Sequence, residues 1–342
     1  FGSNPAYRAN LFSAICDSGA AVLIAAAVRV HGASLWGGMM GGGLFAFAPL
    51  VWAYATVAEV FPLNNLFVGA LVLSAVLLEK TREARWGYLI AALCGLGLAN
   101  HHTFLFYVVG VLPWSFWVLR DSLAIELRWL RLLGTSAAGF IFYLYLPLAD
   151  LSPPFLSWGN PSTWDGFLKH FFRREYGTLS LGPEFSFGQG GQTWLRVRHF
   201  LGAMPAQFLW VGPWIALAGI LTAIRSEWRR RRSAGGVQAL FAGLVVVYVI
   251  VFHTLANLDP GNIMYLQIQG RFWQQVMLLM GVWIGLAVSP FFALIGEAGA
   301  GALAIGVIFF QVAVGFDQND QSRNRFIHIY GRAILDPLPK NS

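Results

Sequence analysis

Long apolar stretches separated by short polar connections dominate the chain from residue 9 to residue 315. A helix needs about 20 mainly apolar residues to cross the hydrocarbon core of a bilayer, and backbone groups there must be satisfied within the segment. The pattern therefore predicts an all-α integral membrane protein, a polytopic bundle of about ten transmembrane helices. The stretches are 9–28, 38–57, 62–79, 87–100, 103–119, 132–148, 203–224, 236–255, 272–294 and 299–315.

Basic residues are distributed unevenly among the connections. They follow the first, third, fifth and seventh stretches: Arg29; Lys80, Arg82 and Arg85; Arg120, Arg128 and Arg131; Arg225 and Arg229 to Arg232. The connections around 59–61, 101–102 and 256–270 carry no Lys or Arg. Because cytoplasmic loops are enriched in Lys and Arg, the first set is predicted to be cytoplasmic. The sizeable loop 149–202 and the region 317–342 are then predicted on the far side, lumenal or periplasmic.

The composition supports a membrane protein and excludes a water-soluble enzyme. Of 342 residues 57% are hydrophobic and 11% charged, and the mean hydropathy is +0.59. The net charge of +7 comes from short basic clusters between apolar stretches, which indicates topology rather than nucleic-acid binding. Cys16 and Cys94 both fall within apolar stretches and are predicted to be buried free thiols.

Two short features predict local roles. Gly37 and Gly41 form a G-x-x-x-G pattern, which favours close helix packing, whereas a phosphate loop would need a following Lys-Ser/Thr. Residues 163–176 in the far-side loop combine aromatic with charged side chains and predict an amphipathic helix at the membrane interface.

Polar and ionisable residues at the far-side helix ends are the candidate functional groups, because lipid-exposed charge is costly. Glu59 and Asn64 belong to Ala58-Glu59-Val60-Phe61-Pro62-Leu63-Asn64-Asn65. Glu59 could act as a base or orient an acceptor, or it could simply cap the helix that begins near Pro62.

The hairpin Asn100-His101-His102 offers a second group. Its imidazoles could contact a lipid phosphate or form a structural polar turn. A two-histidine metal site is disfavoured, because adjacent residues on a helix point apart.

Arginines provide the remaining candidates. Arg271 precedes Phe272 and Trp273 at the mouth of a long apolar stretch, where it could grip a phosphate bidentately or anchor the helix at the interface. Arg173 and Arg174, in Arg173-Arg174-Glu175-Tyr176-Gly177, could contact an anionic headgroup or be solvated. Asp17, inside the first stretch, is interpreted as a packing or helix-bonding residue.

Several colinear segments resemble one family of membrane glycosyltransferases. The segments are Asn4 to Leu11, Ala58 to Asn64, Gly97 to His101, Tyr143 to Pro147, Trp158 to Pro161, Trp164, Arg173 to Gly177, Ala256 to Asp259, Arg271 to Trp273, Asp320 to Ser322 and Tyr330-Gly331. The chain resembles the transmembrane protein O-mannosyltransferases of the GT-C superfold, of the kind that modifies IPT domains of plexin-type receptors. His102 departs from the pattern, since an apolar residue is more usual after the Asn-His pair.

The resemblance implies an enzyme that moves a sugar, expected to be mannose, from a dolichyl or other polyprenyl phosphate to Ser or Thr of a protein acceptor. Residues 1–316 would form the transmembrane glycosyltransferase module. The implied substrate-binding residues are Arg271, His101, Asn100, Arg174, Arg173, Tyr176, Trp158 and Asn64, with Glu59 as a catalytic acid or base. The family's leading helix and its Asp-Ser acid motif are expected before Phe1, so the principal base is expected upstream.

The resemblance also implies a location and partners. The expected location is the endoplasmic reticulum membrane, or the inner membrane of a bacterium, and no metal or cofactor is assigned beyond the lipid-linked donor. A secondary transporter would predict inverted repeats and ionisable residues at mid-bilayer. A noncatalytic scaffold would leave the clustered far-side polar residues unexplained. Both remain as alternatives to the enzyme.

Overall fold

The protein is described by a computed structural model that covers residues 4–121, 126–152, 159–174, 192–229 and 236–337. Regular structure in these ranges is entirely helical, as predicted. The helices are α1 (Pro5–His31), α2 (Leu35–Ala46), α3 (Pro49–Ala55), α4 (Val60–Thr81), α5 (Ala84–Asn100), α6 (Leu105–Leu119), α7 (Glu126–Ala138), α8 (Tyr145–Ala149), α9 (Trp164–Phe171), α10 (Thr193–Gln207), α11 (Gly212–Arg229), α12 (Val237–Leu255), α13 (Ile263–Gly270), α14 (Gln274–Asn319) and α15 (Phe326–Leu335). Short 3₁₀ turns, His102–Phe104, Gly139–Leu144 and Arg271–Trp273, precede α6, α8 and α14.

Several of these helices are long and apolar enough to cross a membrane. In the described ranges six stretches meet that requirement, or eight if two bent helix pairs each count as one span. The prediction of about ten spans also counted α5, which has only 17 residues, and divided the last stretch in two. That division has a structural basis, because Gly296 leaves helical geometry inside α14 with φ 73. The fold is therefore an all-α polytopic membrane bundle.

Two predicted spans prove to be bent pairs. The stretch 38–57 is interrupted between α2 and α3 with a bend of 67°, where Pro49 begins α3 and has no N–H to continue the ladder. The stretch 203–224 is wrong as a single helix, because α10 meets α11 at 101°. Leu209 and Trp210, with φ 50 and 65, make that corner. Apolar character continues through both corners, so the hydrophobic pattern does not reveal them.

The packing of α2 on α14 confirms the predicted role of the glycine pattern. A Cβ atom on Gly41 would overlap the carbonyl of Gly281, and one on Gly37 would meet the carbonyl of Gly285 and the Ser289 hydroxyl. The backbones therefore approach as closely as only glycine allows. We call this contact, formed by Gly37, Gly41, Gly281 and Gly285, the glycine seam.

The connections sort to two ends of the bundle. At one end Lys80 donates to the Val30 carbonyl at 3.1 Å and Arg82 to the Val118 carbonyl at 3.4 Å. There the N–H of Val237 also donates to Glu79 at 3.0 Å. Basic connections predicted to share one side of the membrane thus share one end of the fold. The compartment that this end faces stays a prediction.

Inside the bundle, a polar contact joins three helices. The amide of Asn65 on α4 donates to Asp17 on α1 and to Gln274 at the start of α14, both at 2.9 Å. All three side chains are at most 2% exposed. Asp17 therefore accepts an interhelical hydrogen bond, in agreement with its interpretation as a packing or helix-bonding residue. Cys16 and Cys94 are buried and free, also as predicted.

Candidate active site

Glu59 and Arg271 form an ion pair although 212 positions separate them. The Nη1 atom of Arg271 lies 3.3 Å from Oε1 of Glu59, and the side chains remain 28% and 32% exposed. Glu59 immediately precedes α4 but makes no side-chain capping bond to it. The capping interpretation of Glu59 is therefore wrong. We call the end of the bundle that carries this pair the Glu59 end.

The guanidinium of Arg271 is held on one side only. Its Nε donates to the Ile268 carbonyl at 3.2 Å, and its Cζ lies 5.8 Å from the centre of the Phe61 ring. A guanidinium has five N–H donors, and the two bonds to Ile268 and Glu59 leave the Nη2 edge without a partner in the described ranges. The free edge has the donor geometry that binds a phosphate or a carboxylate.

A cluster of aromatic rings packs next to this ion pair. The rings of Phe61 and Phe272 meet edge to face at 5.1 Å, and the His101 ring lies 5.3 Å from the first and 5.6 Å from the second. Phe61 belongs to α4, His101 follows α5, and Phe272 precedes α14. The cluster therefore fixes three chain segments against one another next to Arg271.

His101 is oriented by Thr103 and Gln275. The Thr103 N–H donates to Nδ1 of His101 at 3.2 Å, and the Thr103 hydroxyl lies 2.8 Å from the same atom. Gln275 Nε2 donates to that hydroxyl at 2.8 Å. This network assigns the ring proton to Nε2, since Nδ1 acts as an acceptor. Burial, followed by the charges of His102, Arg173 and Arg271, lowers the pKa of His101 to about 3.

Asn100 and His102 connect the hairpin to its surroundings. The Asn100 amide donates to the Val60 carbonyl at 3.3 Å, and Nε2 of His102 lies 3.2 Å from the Phe171 carbonyl at the end of α9. Both imidazoles thus have protein partners, as expected of a structural polar turn. No group of three or more His, Cys, Asp or Glu side chains able to hold a metal occurs among the described residues.

The C-terminus of α9 places Arg173 and Arg174 at the Glu59 end. Helix α9 ends at Phe171, and Arg173, two residues later, takes a left-handed conformation with φ 49, so the predicted amphipathic helix 163–176 is shorter than expected. The guanidinium of Arg174 lies 5.7 Å from the Phe172 ring and is exposed. An exposed cation beside the interface is available to an anion, and the geometry identifies no anion for it.

The other predicted site residues stand apart. Asn64 is fully buried on α4, and neither atom of its amide has a hydrogen-bond partner in the described part of the chain. Trp158 and Tyr176 lie outside the described residues. The structure thus brings together Glu59, Arg271, His101 and Asn100, with Arg173 and Arg174 at the same end.

Three buried polar side chains of this region, Thr103, Gln274 and Gln275, were not among the predicted site residues. Thr103 and Gln275 orient His101, and Gln274 accepts a hydrogen bond from Asn65. A signal for two of the three existed, because Gln274-Gln275 is a polar doublet at the start of a long apolar stretch. Buried amides in such a stretch require partners.

Comparison with known proteins adds the functional context. The family described as Protein O-mannosyl-transferase TMEM260 N-terminal domain matches residues 1–124. The mouse "Protein O-mannosyl-transferase TMEM260" is 32% identical over all of this chain. The chain is a relative of these O-mannosyl-transferases. The resemblance noted in the sequence is confirmed.

A second relative supports the same relationship. The Dictyostelium discoideum "Protein O-mannosyl-transferase tmem260" is 27% identical over 98% of the chain. The chain spans 50% of the mouse TMEM260 protein and 45% of the Dictyostelium one, so it corresponds to about half of their length. No solved structure matches the chain.

Proposed function

We propose that the protein is a glycosyltransferase that moves mannose from a polyprenyl phosphate, expected to be dolichyl phosphate, to a Ser or Thr hydroxyl of a protein acceptor. The observation that carries the proposal is the Arg271–Glu59 pair, which combines a partly free guanidinium and a carboxylate at one end of a membrane bundle. The names of the TMEM260 relatives support sugar transfer to protein.

The reaction needs an anion-binding group and a proton acceptor. The hydroxyl oxygen of the acceptor attacks the anomeric carbon of the sugar and forms the new glycosidic bond. The bond from that carbon to the phosphate oxygen breaks, and the phosphate keeps the electron pair. The hydroxyl proton passes to a carboxylate, which acts as the general base of the step.

Arg271 is proposed to stabilise the leaving phosphate. The free edge of its guanidinium offers two parallel N–H donors to the charge that develops as the bond breaks. Glu59 fixes the other side of the fork and so orients these donors, and it is also the carboxylate nearest to them. His101, neutral at physiological pH, would contribute a hydrogen bond through Nε2–H rather than a positive charge.

We infer the location from the charges of the connections. Basic residues gather at the end opposite to the Glu59 end, which favours a cytoplasmic position for that end. The Glu59 end then faces the lumen of the endoplasmic reticulum. There the loop containing α9 and the acceptor protein would meet the sugar. Trp158 and Tyr176 stay proposed substrate contacts of this loop.

The direct test uses the full-length protein reconstituted in lipid nanodiscs with dolichyl-phosphate mannose and a folded Ser/Thr-bearing acceptor domain. We expect the intact mass of the acceptor to increase by one hexose for each modified site. Dolichyl phosphate without sugar is the matched control. Absence of transfer by folded protein to several such domains would overturn the proposal, and equal transfer from dolichyl-phosphate glucose would overturn the assignment of mannose.

A further inference from the structure

A large cleft lies beside the Glu59 end. Helices α3, α10 and α13 and the end of α14 enclose about 1110 Å³. None of the interactions described for the Arg271–Glu59 pair uses this space. Its lining therefore calls for a separate explanation.

Two helices each present one face to the cleft. On α10 the lining positions include Leu195, Gly202 and Ala203, and on α13 they include Ile263 and Leu266. Spacings of three, four and seven residues place such positions on the same side of a helix. Most of the wall is apolar, so an apolar body fits it better than a free sugar or a peptide rich in charge.

The charged lining has one sign. Arg198 and His199 on α10 line the cleft, and none of its described lining residues is Asp or Glu. Arg198 is exposed and makes no hydrogen bond or ion pair within the described ranges. Its neighbour Arg196 is 1% exposed and donates to the carbonyls of Leu258 and His253, both at 3.2 Å. Arg196 thus has a structural role, whereas Arg198 is free to bind an anion.

The cleft adjoins the candidate active site. Two lining residues are close to Arg271 in the sequence: Gly270, the last residue of α13, immediately precedes it, and Trp273 belongs to the same 3₁₀ turn. Tyr54, another lining residue, meets Phe61 edge to face with 5.9 Å between the ring centres. The Cζ atom of Arg271 lies 5.8 Å from the centre of the same Phe61 ring. Contacts therefore run from the cleft wall through Tyr54 and Phe61 to Arg271.

We infer that this cleft seats the phosphate-proximal isoprene units of the polyprenyl-phosphate donor, and that Arg198 contacts the phosphate on its way to Arg271. The inference rests on the proposed function. An apolar wall with one unpaired cation complements an amphiphile that has a hydrocarbon chain and an anionic head. The proximity of the cleft to Arg271 favours the lipid-linked sugar over a structural phospholipid, because only the sugar donor must deliver its phosphate there.

Gly202 allows the cleft to be blocked without disturbing the fold. A Cβ atom added at Gly202 meets no atom within 4 Å, and the same holds for Gly243 on α12, which does not line the cleft. Both glycines are exposed residues within helices, so a larger side chain at either position should preserve folding. Gly243→Trp is therefore the matched control for Gly202→Trp.

The experiment measures two quantities for the full-length protein in nanodiscs: binding of dolichyl phosphate by native mass spectrometry, and the donor KM for sugar transfer. We expect Gly202→Trp, which fills the cleft, and Arg198→Gln, which removes a charge-assisted contact, each to weaken binding and to raise the donor KM by about tenfold or more. Gly243→Trp should stay within about twofold of wild type in both, as a site that makes no contact with the ligand.

The possible outcomes distinguish a failure of the cleft inference from a failure of the proposed function. If the wild-type protein transfers sugar and Gly202→Trp keeps its donor KM and its binding, the cleft inference is wrong and the proposed function stands. If the wild-type protein binds dolichyl phosphate, Gly202→Trp does not, and neither transfers sugar, the proposed function is wrong and the cleft stands. Equal binding of phosphatidic acid at the Gly202-sensitive position would assign the cleft to a structural phospholipid and overturn the inference.

Discussion

The glycine seam and the Glu59 end both join helices that are far apart in the sequence, and they do so by opposite means. In the seam, Gly37 and Gly41 bring α2 against the backbone of Gly281 and Gly285, with no room for a single added methyl group. At the Glu59 end, hydrogen bonds, an ion pair and ring contacts hold the segments, and Arg271 keeps unused donors.

The difference separates stability from function. A close-packed contact gains dispersion energy from every atom, and it leaves no free surface or unused polar group for a ligand. A polar contact with spare donors contributes less to stability, but it can bind a charged group without reorganising. Substitutions in the two regions should therefore fail in different assays.

The largest effect is expected for Gly41→Leu. Its side chain would overlap the Gly281 carbonyl, and neither backbone can move without disrupting the long α2–α14 contact. Overpacking typically costs about 1–3 kcal/mol and occasionally more, and the obstacle here is backbone rather than a flexible side chain, so we expect a cost at the upper end of that range. Expression and thermal unfolding of the purified protein, followed by size-exclusion chromatography, would measure it.

Gly306→Leu is the matched control, because a Cβ atom at Gly306 on α14 meets no atom within 4 Å. We expect that variant to fold like the wild type. A Gly41→Leu protein of normal yield and stability would show that α2 and α14 do not pack as described.

Arg271 should show the opposite behaviour, with activity lost and folding kept. Arg271→Ala removes the donors proposed for the phosphate and should lower kcat/KM by about a hundredfold or more, equivalent to ~3 kcal/mol. Arg271→Lys keeps the charge but not the planar fork and should recover only part of the activity. Because the side chain is 28% exposed, thermal stability should change little.

Glu59→Gln sharpens this test. If Glu59 acts by orienting Arg271, the double variant with Arg271→Ala should lose no more activity than Arg271→Ala alone, since paired residues are not additive. Purely additive losses would give Glu59 a role independent of Arg271, such as that of the base. Near-wild-type turnover of folded Arg271→Ala would instead leave Arg271 as an interfacial anchor.

The smallest effect concerns His101 and pH. Burial lowers the pKa of His101 to about 3, so its imidazole gains a proton only when the pH falls towards that value and is neutral from pH 5 to 8. The profile of kcat/KM, which reports groups of the free enzyme, should therefore have the same shape for wild type and His101→Gln in that range. An inflection near pH 6.5 that His101→Gln removes would contradict the assignment.

Much of the fold was accessible from the sequence because membrane helices obey local rules. Apolar stretches of sufficient length located the helices, and Gly37 and Gly41 identified a packing face. The corner between α10 and α11 was missed, because Leu209 and Trp210 are apolar and carry no turn signal. The site residues were proposed individually from their positions at helix ends.

What the sequence determined by itself was the membrane class, the approximate span of each helix and a set of polar residues at one group of helix ends. Only the tertiary structure decided which of these residues meet. These contacts depend on how each helix is rotated about its axis and on its depth in the bundle. They are the Glu59–Arg271 ion pair, the hydrogen bonds from Gln275 through Thr103 to His101, and the hydrogen bond from Asn65 to Asp17. Packing against neighbouring helices sets those two quantities, and the hydrophobicity of a single stretch cannot specify them, because lipid and helix neighbours are equally apolar.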